Sequence, residues 1–287
     1  MTGREEQIDE FESMFRRAER EPFVFVDVPI NSVALVTDGT VTEAEQQKAS
    51  LLRFLPGLEA AETWRLIVET DYANVGELSQ RIGERQTDLI VTYRHLQEKA
   101  LVPQHSLGVY LDVLTQTSLI PVLVLPGTAA EPASFGERSC KRVMVVTDHI
   151  SGDNRLIHYG VRMCAAGGSI WLCHVEDDSV FIRYMQAIER IPEIESDRAR
   201  ELIGNQLLKE AGDFIETCIG VLHEQGPNIS YQSLVTQGHH LREYRELIVG
   251  NDIDLLVTNT KDEDQLAMHG MAYSLSVEIN DVALLLL

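Results

Sequence analysis

An internal echo governs everything else in this sequence. Val33-Ala-Leu-Val-Thr-Asp38 returns as Val143-Met-Val-Val-Thr-Asp148, an offset of 148 − 38 = 110 residues. Asp88-Leu-Ile-Val-Thr92 returns as Asp254-Leu-Leu-Val-Thr258, at 254 − 88 = 166. The helical stretch before it keeps the second register: Val75, Leu78 and Ile82, on one helical face, map onto Leu241, Tyr244 and Ile248. Matching pattern and spacing imply two related units. The change of offset, 166 − 110 = 56 residues, measures what the second unit has and the first lacks. Those extra residues read as the buried-strand run 169–175 and a charged helical tract over 179–225, broken near Pro192.

The second unit then alternates strand and helix: 143–147, 153–165, 169–175, 179–225, 229–235, 240–250, 254–258, 271–280 and 282–287. Strands such as Val143 to Val146 are apolar throughout, as in parallel sheets covered on both faces. Right-handed crossovers make that a doubly wound α/β layout. The first unit runs from a helix over 43–58 straight to a strand at Trp64 to Val68, so it lacks one strand-helix unit. With 287 residues there is room for two such domains. The boundaries read as an N-terminal arm over 1–30, an abridged first domain over 31–127, a Gly/Pro/Ala/Ser linker over 128–140 and a second domain over 141–287. In the arm, Ile8, Phe11, Phe15 and Ala18 form an amphipathic helical face, and Phe23 to Val26 reads as strand-like. The arm is expected to cover the surface left bare on the shortened half.

This order resembles universal stress protein domains in tandem, over about 33–127 and 141–287. The resemblance rests on Val33 to Asp38, on Gly108 to Pro126 with its closing strand, and on Gly238, a helix and then Asp254-Leu-Leu-Val. It implies an adenine nucleotide alpha hydrolase-like fold, with any ligand beyond the C-terminal strand ends at the topological switch point. In nucleotide-binding members the loop after the fourth strand carries Gly-x2-Gly-x9-Gly-Ser/Thr, and the Asp ending the first strand lies near the adenosine. Glycines let backbone N–H groups approach phosphate, and the next helix N-terminus adds a positive dipole end. Carried over, the candidate nucleotide-binding residues are Asp38, Arg94, Gly108 and Val109 in the first half and Asp148 and Ser274 in the second. Family members commonly pair through their last strands. The apolar strands 120–125 and 282–287 are therefore expected to join, as an internal pseudo-dimer or between two chains.

Both copies depart from the phosphate loop. After Thr92 the chain runs Tyr93-Arg94-His95-Leu96-Gln97-Glu98-Lys99, with no glycine before Gly108, and Val109 stands at the hydroxyl position. After Thr258 it runs Asn259-Thr260-Lys261-Asp262-Glu263-Asp264, three carboxylates that repel a triphosphate lacking a metal. Tyr273 replaces the glycine before Ser274. Arg94, His95, Lys99 and His105 keep an anion-binding option in the first half, beside the simpler reading of a solvated basic loop. Asp38 and Asp148 have a structural reading too, as Asx-turn or helix-capping residues.

Charge narrows the function. Lys and Arg number 24 against 45 Asp and Glu, a net charge of −21, which disfavours a nucleic acid or an anionic membrane as partner. No apolar run approaches the ~20 residues of a membrane helix, and the opening Met1-Thr2-Gly3-Arg4-Glu5-Glu6 lacks a signal-like core, so the expected setting is cytoplasmic. Cys140, Cys164, Cys173 and Cys218 have no CxxC spacing and read as reduced structural thiols. His239 and His240, with His149, His158, His174, His223 and His269, show no HExxH or other zinc pattern. There is no Gly-x-Ser-x-Gly elbow, and Glu193 and Glu195 read as solvent-facing.

The leading expectation is a non-enzymatic stress-response regulatory or binding protein with degenerate nucleotide loops, no cofactor and no metal. Two alternatives stand beside it. One is an adenine-nucleotide protein holding ATP or AMP with Mg, with slow hydrolysis near Asp38, Arg94 and Gly108. The other is a partner-binding module that uses the helix over 179–190, where Phe181, Tyr184, Met185 and Ile188 share an apolar face.

Overall fold

A computed structural model describes residues 22–98, 106–128, 135–146, 154–191, 194–260 and 270–287. The first half contains β1 (Ser32–Val36), α1 (Val41–Phe54), β2 (Thr63–Ile67), α2 (Val75–Gly83), β3 (Leu89–Arg94), α3 (Val109–Thr117) and β4 (Val122–Thr128). The second contains β5 (Arg142–Val146), α4 (Asn154–Met163), β6 (Ser169–Asp177), α5 (Asp178–Ile188), α6 (Ser196–Gln225), β7 (Ser230–Gly238), α7 (His240–Gly250), β8 (Leu255–Thr258), α8 (Gly270–Glu278) and β9 (Ala283–Leu286). Local chemistry fixes the helix starts. Thr40 and Glu43 form a reciprocal capping box on α1, Asn74 caps α2 through the N–H of Glu77, and Asp177 caps α5 through Ser179 and Val180.

The strands form one nine-stranded sheet in the order β2-β1-β3-β4-β9-β8-β5-β6-β7. Every pairing is parallel except β4 with β9, which run antiparallel with Val122 opposite Leu286, Leu123 opposite Leu285 and Val124 opposite Leu284. The C-terminal strand ends of the two halves therefore face opposite ends of the sheet. Alternation sorts the strand residues into two layers. Val33, Leu35, Val143 and Val145 meet Leu51, Phe54, Leu156, Ile157, Ile215 and Leu222 on one face. Ala34, Val36, Met144 and Val146 meet Leu78, Leu111, Tyr244, Ile248 and Leu275 on the other. Gly160 lets α4 sit on β5, since a Cβ there would lie 2.5 Å from Val145 Cγ2.

The sequence echo of Asp88 and Asp254 has a structural counterpart at the N-terminal strand ends. Asp88 Oδ2 accepts the N–H groups of Asn31 and Ser32, each at 2.9 Å. Asp254 Oδ2 accepts those of Lys141 and Arg142, at 3.1 and 3.0 Å. The strand registers echo as well, with Val33 opposite Leu89 and Val143 opposite Leu255. One carboxylate pins the start of two neighbouring strands in each half.

The two halves share a single sheet, joined where β4 pairs with β9. Two readings change in detail. The unit missing from the first half is placed differently. β2 lies beside β1 as β6 lies beside β5, so the sheet position without a first-half counterpart is the outer one, that of β7, and not that of 169–175. Finally, the strand-like run Phe23 to Val26 forms no strand. Its side chains pack on the second half instead: Phe23 is buried with its ring 5.5 Å from that of His158 on α4, and His158 Nε2–H donates to Val24 O at 2.9 Å. The remainder of the arm, residues 1–21, lies outside the described residues. Of the segment read as a linker, Phe135 stacks on Phe54 with centroids 4.1 Å apart, and Cys140 N–H donates to Phe54 O.

Candidate functional site

In an open α/β sheet the crevice for a ligand lies beyond the C-terminal strand ends, where neighbouring connections diverge. In the first half that place is built by the end of β1, the turn after β2, the loop after β3 and the start of α3. Asp38 follows β1 by two residues. Its Oδ2 accepts the backbone N–H of Gln97 at 2.7 Å, and Tyr72 O–H reaches its Oδ1 at 3.4 Å. Burial raises the pKa of Asp38, an effect that these two hydrogen bonds offset only in part, and Glu69 and Glu98 add to the rise. The Tyr72 hydroxyl is also held protonated, by burial and by the charge of Asp38.

The loop after β3 folds back into the crevice. His95 and Gln97 both adopt left-handed backbone angles, φ 57 and 56, a conformation that costs a side-chain-bearing residue about 1–2 kcal/mol. That turn aims the Gln97 N–H at Asp38 and brings the Gln97 side chain between two tyrosines. Tyr110 O–H donates to Gln97 Oε1 at 2.7 Å, and Gln97 Nε2 donates to Tyr72 O at 3.0 Å. The two tyrosine rings meet edge to face with centroids 5.6 Å apart.

Beside them, Glu98 lies across the start of α3. Its Oε1 accepts the N–H of Val109 at 2.7 Å, and its Oε2 lies 2.8 Å from His95 Nδ1. A helix N-terminus presents unpaired N–H groups and a positive dipole end, which is what an oxyanion seeks. Here a side-chain carboxylate has taken that position. Gly108 makes the approach possible: its φ is +86, and a Cβ would lie 2.8 Å from His95 Cα.

The candidate residues are thus dispersed. Asp38, Gly108 and Val109 do meet in the first-half crevice, but the Val109 side chain is 60 % exposed and its N–H is already bound to Glu98. Arg94 leaves the crevice for the seam between the halves. Its Nη2 donates to Ser276 O at 3.0 Å and to Ile279 O at 2.6 Å, capping the C-terminal end of α8, and burial lowers its pKa to about 10. Thr260, its echo by the 166-residue offset, donates instead to Leu287 O. Ser274 sits on the exposed side of α8, at the opposite end of the sheet. Asp148, Lys99, His105 and the run Lys261 to Asp264 lie outside the described residues.

Sequence reasoning missed Tyr72, Gln97, Glu98 and Tyr110 as parts of this cluster. No motif announces them, because each acts through a fold-back set by backbone angles. Of the scattered histidines, His240 donates Nε2–H to Val175 O at 2.7 Å, with its Nδ1 3.3 Å from Asp177 Oδ2, and His174 lies beside Glu176. No group of three or more His, Cys, Asp or Glu side chains placed to hold a metal occurs among the described residues, and no described helix is long and apolar enough to cross a membrane.

No protein-family model matches this sequence, and no curated protein matches it. Solved structures do. A universal stress protein from Archaeoglobus fulgidus DSM 4304 superposes with TM-score 0.52 at 11 % identity, over 89 % of this chain and 95 % of its own. The chain has the universal stress protein fold. A protein of unknown function from Pseudomonas aeruginosa PAO1 superposes at TM-score 0.51 and 11 % identity, over 90 % of this chain and 92 % of its own. At such identity the likeness is one of fold, so for this universal stress protein fold the chemistry must be argued from its own side chains.

Proposed function

We propose that this chain is a non-enzymatic regulatory or binding protein of the stress-response type, in which the first-half nucleotide crevice is closed by the protein's own side chains. The observation that carries this reading is the pair of internal substitutes: Glu98 on the α3 N-terminus, and Gln97 and Tyr72 on Asp38. A phosphate would have to displace a carboxylate already hydrogen-bonded there, and an adenosine would have to displace a buried tyrosine. Each displacement removes hydrogen bonds that the ligand must replace before it gains any affinity. The halves act as an internal pair through β4 and β9, whose paired side chains are almost wholly buried. The setting is cytoplasmic, consistent with cysteines that form no disulfide.

The test is mass spectrometry of small molecules released by denaturing the purified protein. The expected extract contains no stoichiometric adenylate; a nucleotide at one equivalent per chain would overturn the reading.

A second reading, a partner surface on α5, is favoured by Ile182 and Tyr184, which are 46 % and 53 % exposed on a helix whose Phe181 and Met185 are buried. An Ile182→Glu/Tyr184→Glu variant that stays folded and loses an identified partner would support it.

A further inference from the structure

The first crevice is closed, but a second concavity is open. At the N-terminal ends of β5, β6 and β8 lies a cleft of about 460 Å³, lined by Arg138, Lys141 and Arg142, by Ser139 and Ser169, and by the carboxylates Glu137 and Asp254. We propose that this cleft binds the phosphate group of a small phosphomonoester.

The internal repeat supplies the argument. The same strand-pinning device exists in both halves, yet in the first it is made by Asp88 with Asn31 and Ser32 and needs no cation. At the equivalent positions, 110 residues on, the second half carries Lys141 and Arg142, and Arg138 stands where the first half has Val28. The fold does not ask for these charges. They are nonetheless held in place. Arg138 Nη2 lies 3.1 Å from Asp254 Oδ1, and Arg142 Nη2 lies 2.8 Å from Asp252 Oδ2 and 3.6 Å from Asp254 Oδ1. Asp254 is almost completely buried, and both of its oxygens are occupied by the backbone N–H groups and these guanidinium contacts. Arg142 Nε is buried without a hydrogen-bond partner, and no carboxylate lies within ion-pair distance of Lys141 among the described residues.

A guanidinium fork serves carboxylate and phosphate alike, but two guanidinium groups, a lysine and two hydroxyls offer more charge and more donors than a monoanionic carboxylate can use, and suit the three oxygens and double charge of a phosphomonoester. The cleft volume exceeds that of a phosphate and leaves room for a small organic group. The chain's net charge of −21 disfavours a polyanion such as a nucleic acid, whereas a single dianion senses mainly charges within a screening length of about 8 Å.

The experiment is isothermal titration of the full-length chain, at low ionic strength, with inorganic phosphate and with glycerol 3-phosphate; sodium acetate and sodium chloride serve as control anions. Saturable binding of both phosphates is expected, tighter for the ester. An Arg138→Ala/Lys141→Ala double variant should weaken it about tenfold or more, while Lys209→Ala, at a remote exposed cation, leaves it unchanged. The single Lys141→Ala variant, which disturbs no ion pair, should weaken it by a smaller factor and covers the case in which the double variant does not fold. Absence of binding at about 10 mM phosphate, binding undiminished in the variants, or equal competition by acetate would each overturn the assignment.

Discussion

Glu98 Oε1 accepts the N–H of Val109 at 2.7 Å, so a residue eleven positions upstream caps the start of α3. Replacing Glu98 with Ala removes that acceptor and the favourable charge at the dipole end. The expected cost is about 1 kcal/mol of unfolding free energy, read from urea denaturation. No change in midpoint would mean that water serves the helix start equally well.

Gly108 has no substitute in this arrangement. With φ at +86 and the His95 backbone 2.8 Å from any Cβ, Gly108→Ala should destabilise the protein by about 2–3 kcal/mol. A thermal melt within a degree of wild type would show that the loop over His95 to Glu98 does not hold its described path.

The inter-half seam makes its own prediction. Arg94 donates to two carbonyl oxygens at the end of α8, and the charge of Asp281 acts favourably on it. Arg94→Ala should cost about 2 kcal/mol and speed amide exchange across 276–286. Arg94→Lys should restore little, because one ammonium cannot reproduce the planar fork. Full rescue by lysine would reduce the role of Arg94 to simple charge.

Asp38 gives stability a pH signature. Burial raises its pKa above the ordinary 3.8, so the folded state holds this proton more tightly than the unfolded chain. Its contribution is therefore most favourable below about pH 4 and declines as pH rises through the raised value. In Asp38→Asn that decline is absent, so the melting temperature of the variant relative to wild type should climb between about pH 4 and pH 7. A flat difference across that range would contradict the account of Asp38 as a desolvated carboxylate.

The arm can be tested by its anchors. Phe23 and Ile30 are 5 % and 1 % exposed, and the burial of side chains of this size contributes about 1.5–3 kcal/mol each. Deleting residues 1–30 should lower the melting temperature clearly; an unchanged value would remove the arm from the folded core.

Much of this architecture was legible in its strands. The echo of Val33 to Asp38 and of Asp88 to Thr92 marks strands buried on both faces, and buried strands admit few residue types. The edges were harder to read. Phe23 to Val26 has strand composition, but strand composition describes what fits a half-buried surface, and Phe23 finds that surface against His158 on α4 without joining the sheet. The crevice was half legible. The run without glycine after Thr92 is plain in the sequence, and Gly108 stands at the start of α3. What fills the space was not legible, since it depends on His95 and Gln97 taking left-handed angles that their residue types do not favour. Arg94 shows the converse: a cation in a loop suggests an anion, yet its partners are two backbone carbonyl oxygens from a helix about 180 residues away in sequence, which no local pattern encodes.

The account stands most directly on calorimetric titration of the wild-type chain with ATP and with AMP, each with and without magnesium. It predicts no saturable binding tighter than about 1 mM in any of the four titrations. A micromolar dissociation constant that is lost on substituting Asp38 would contradict it, because the crevice that Glu98 and Tyr72 fill would then have to open for a nucleotide.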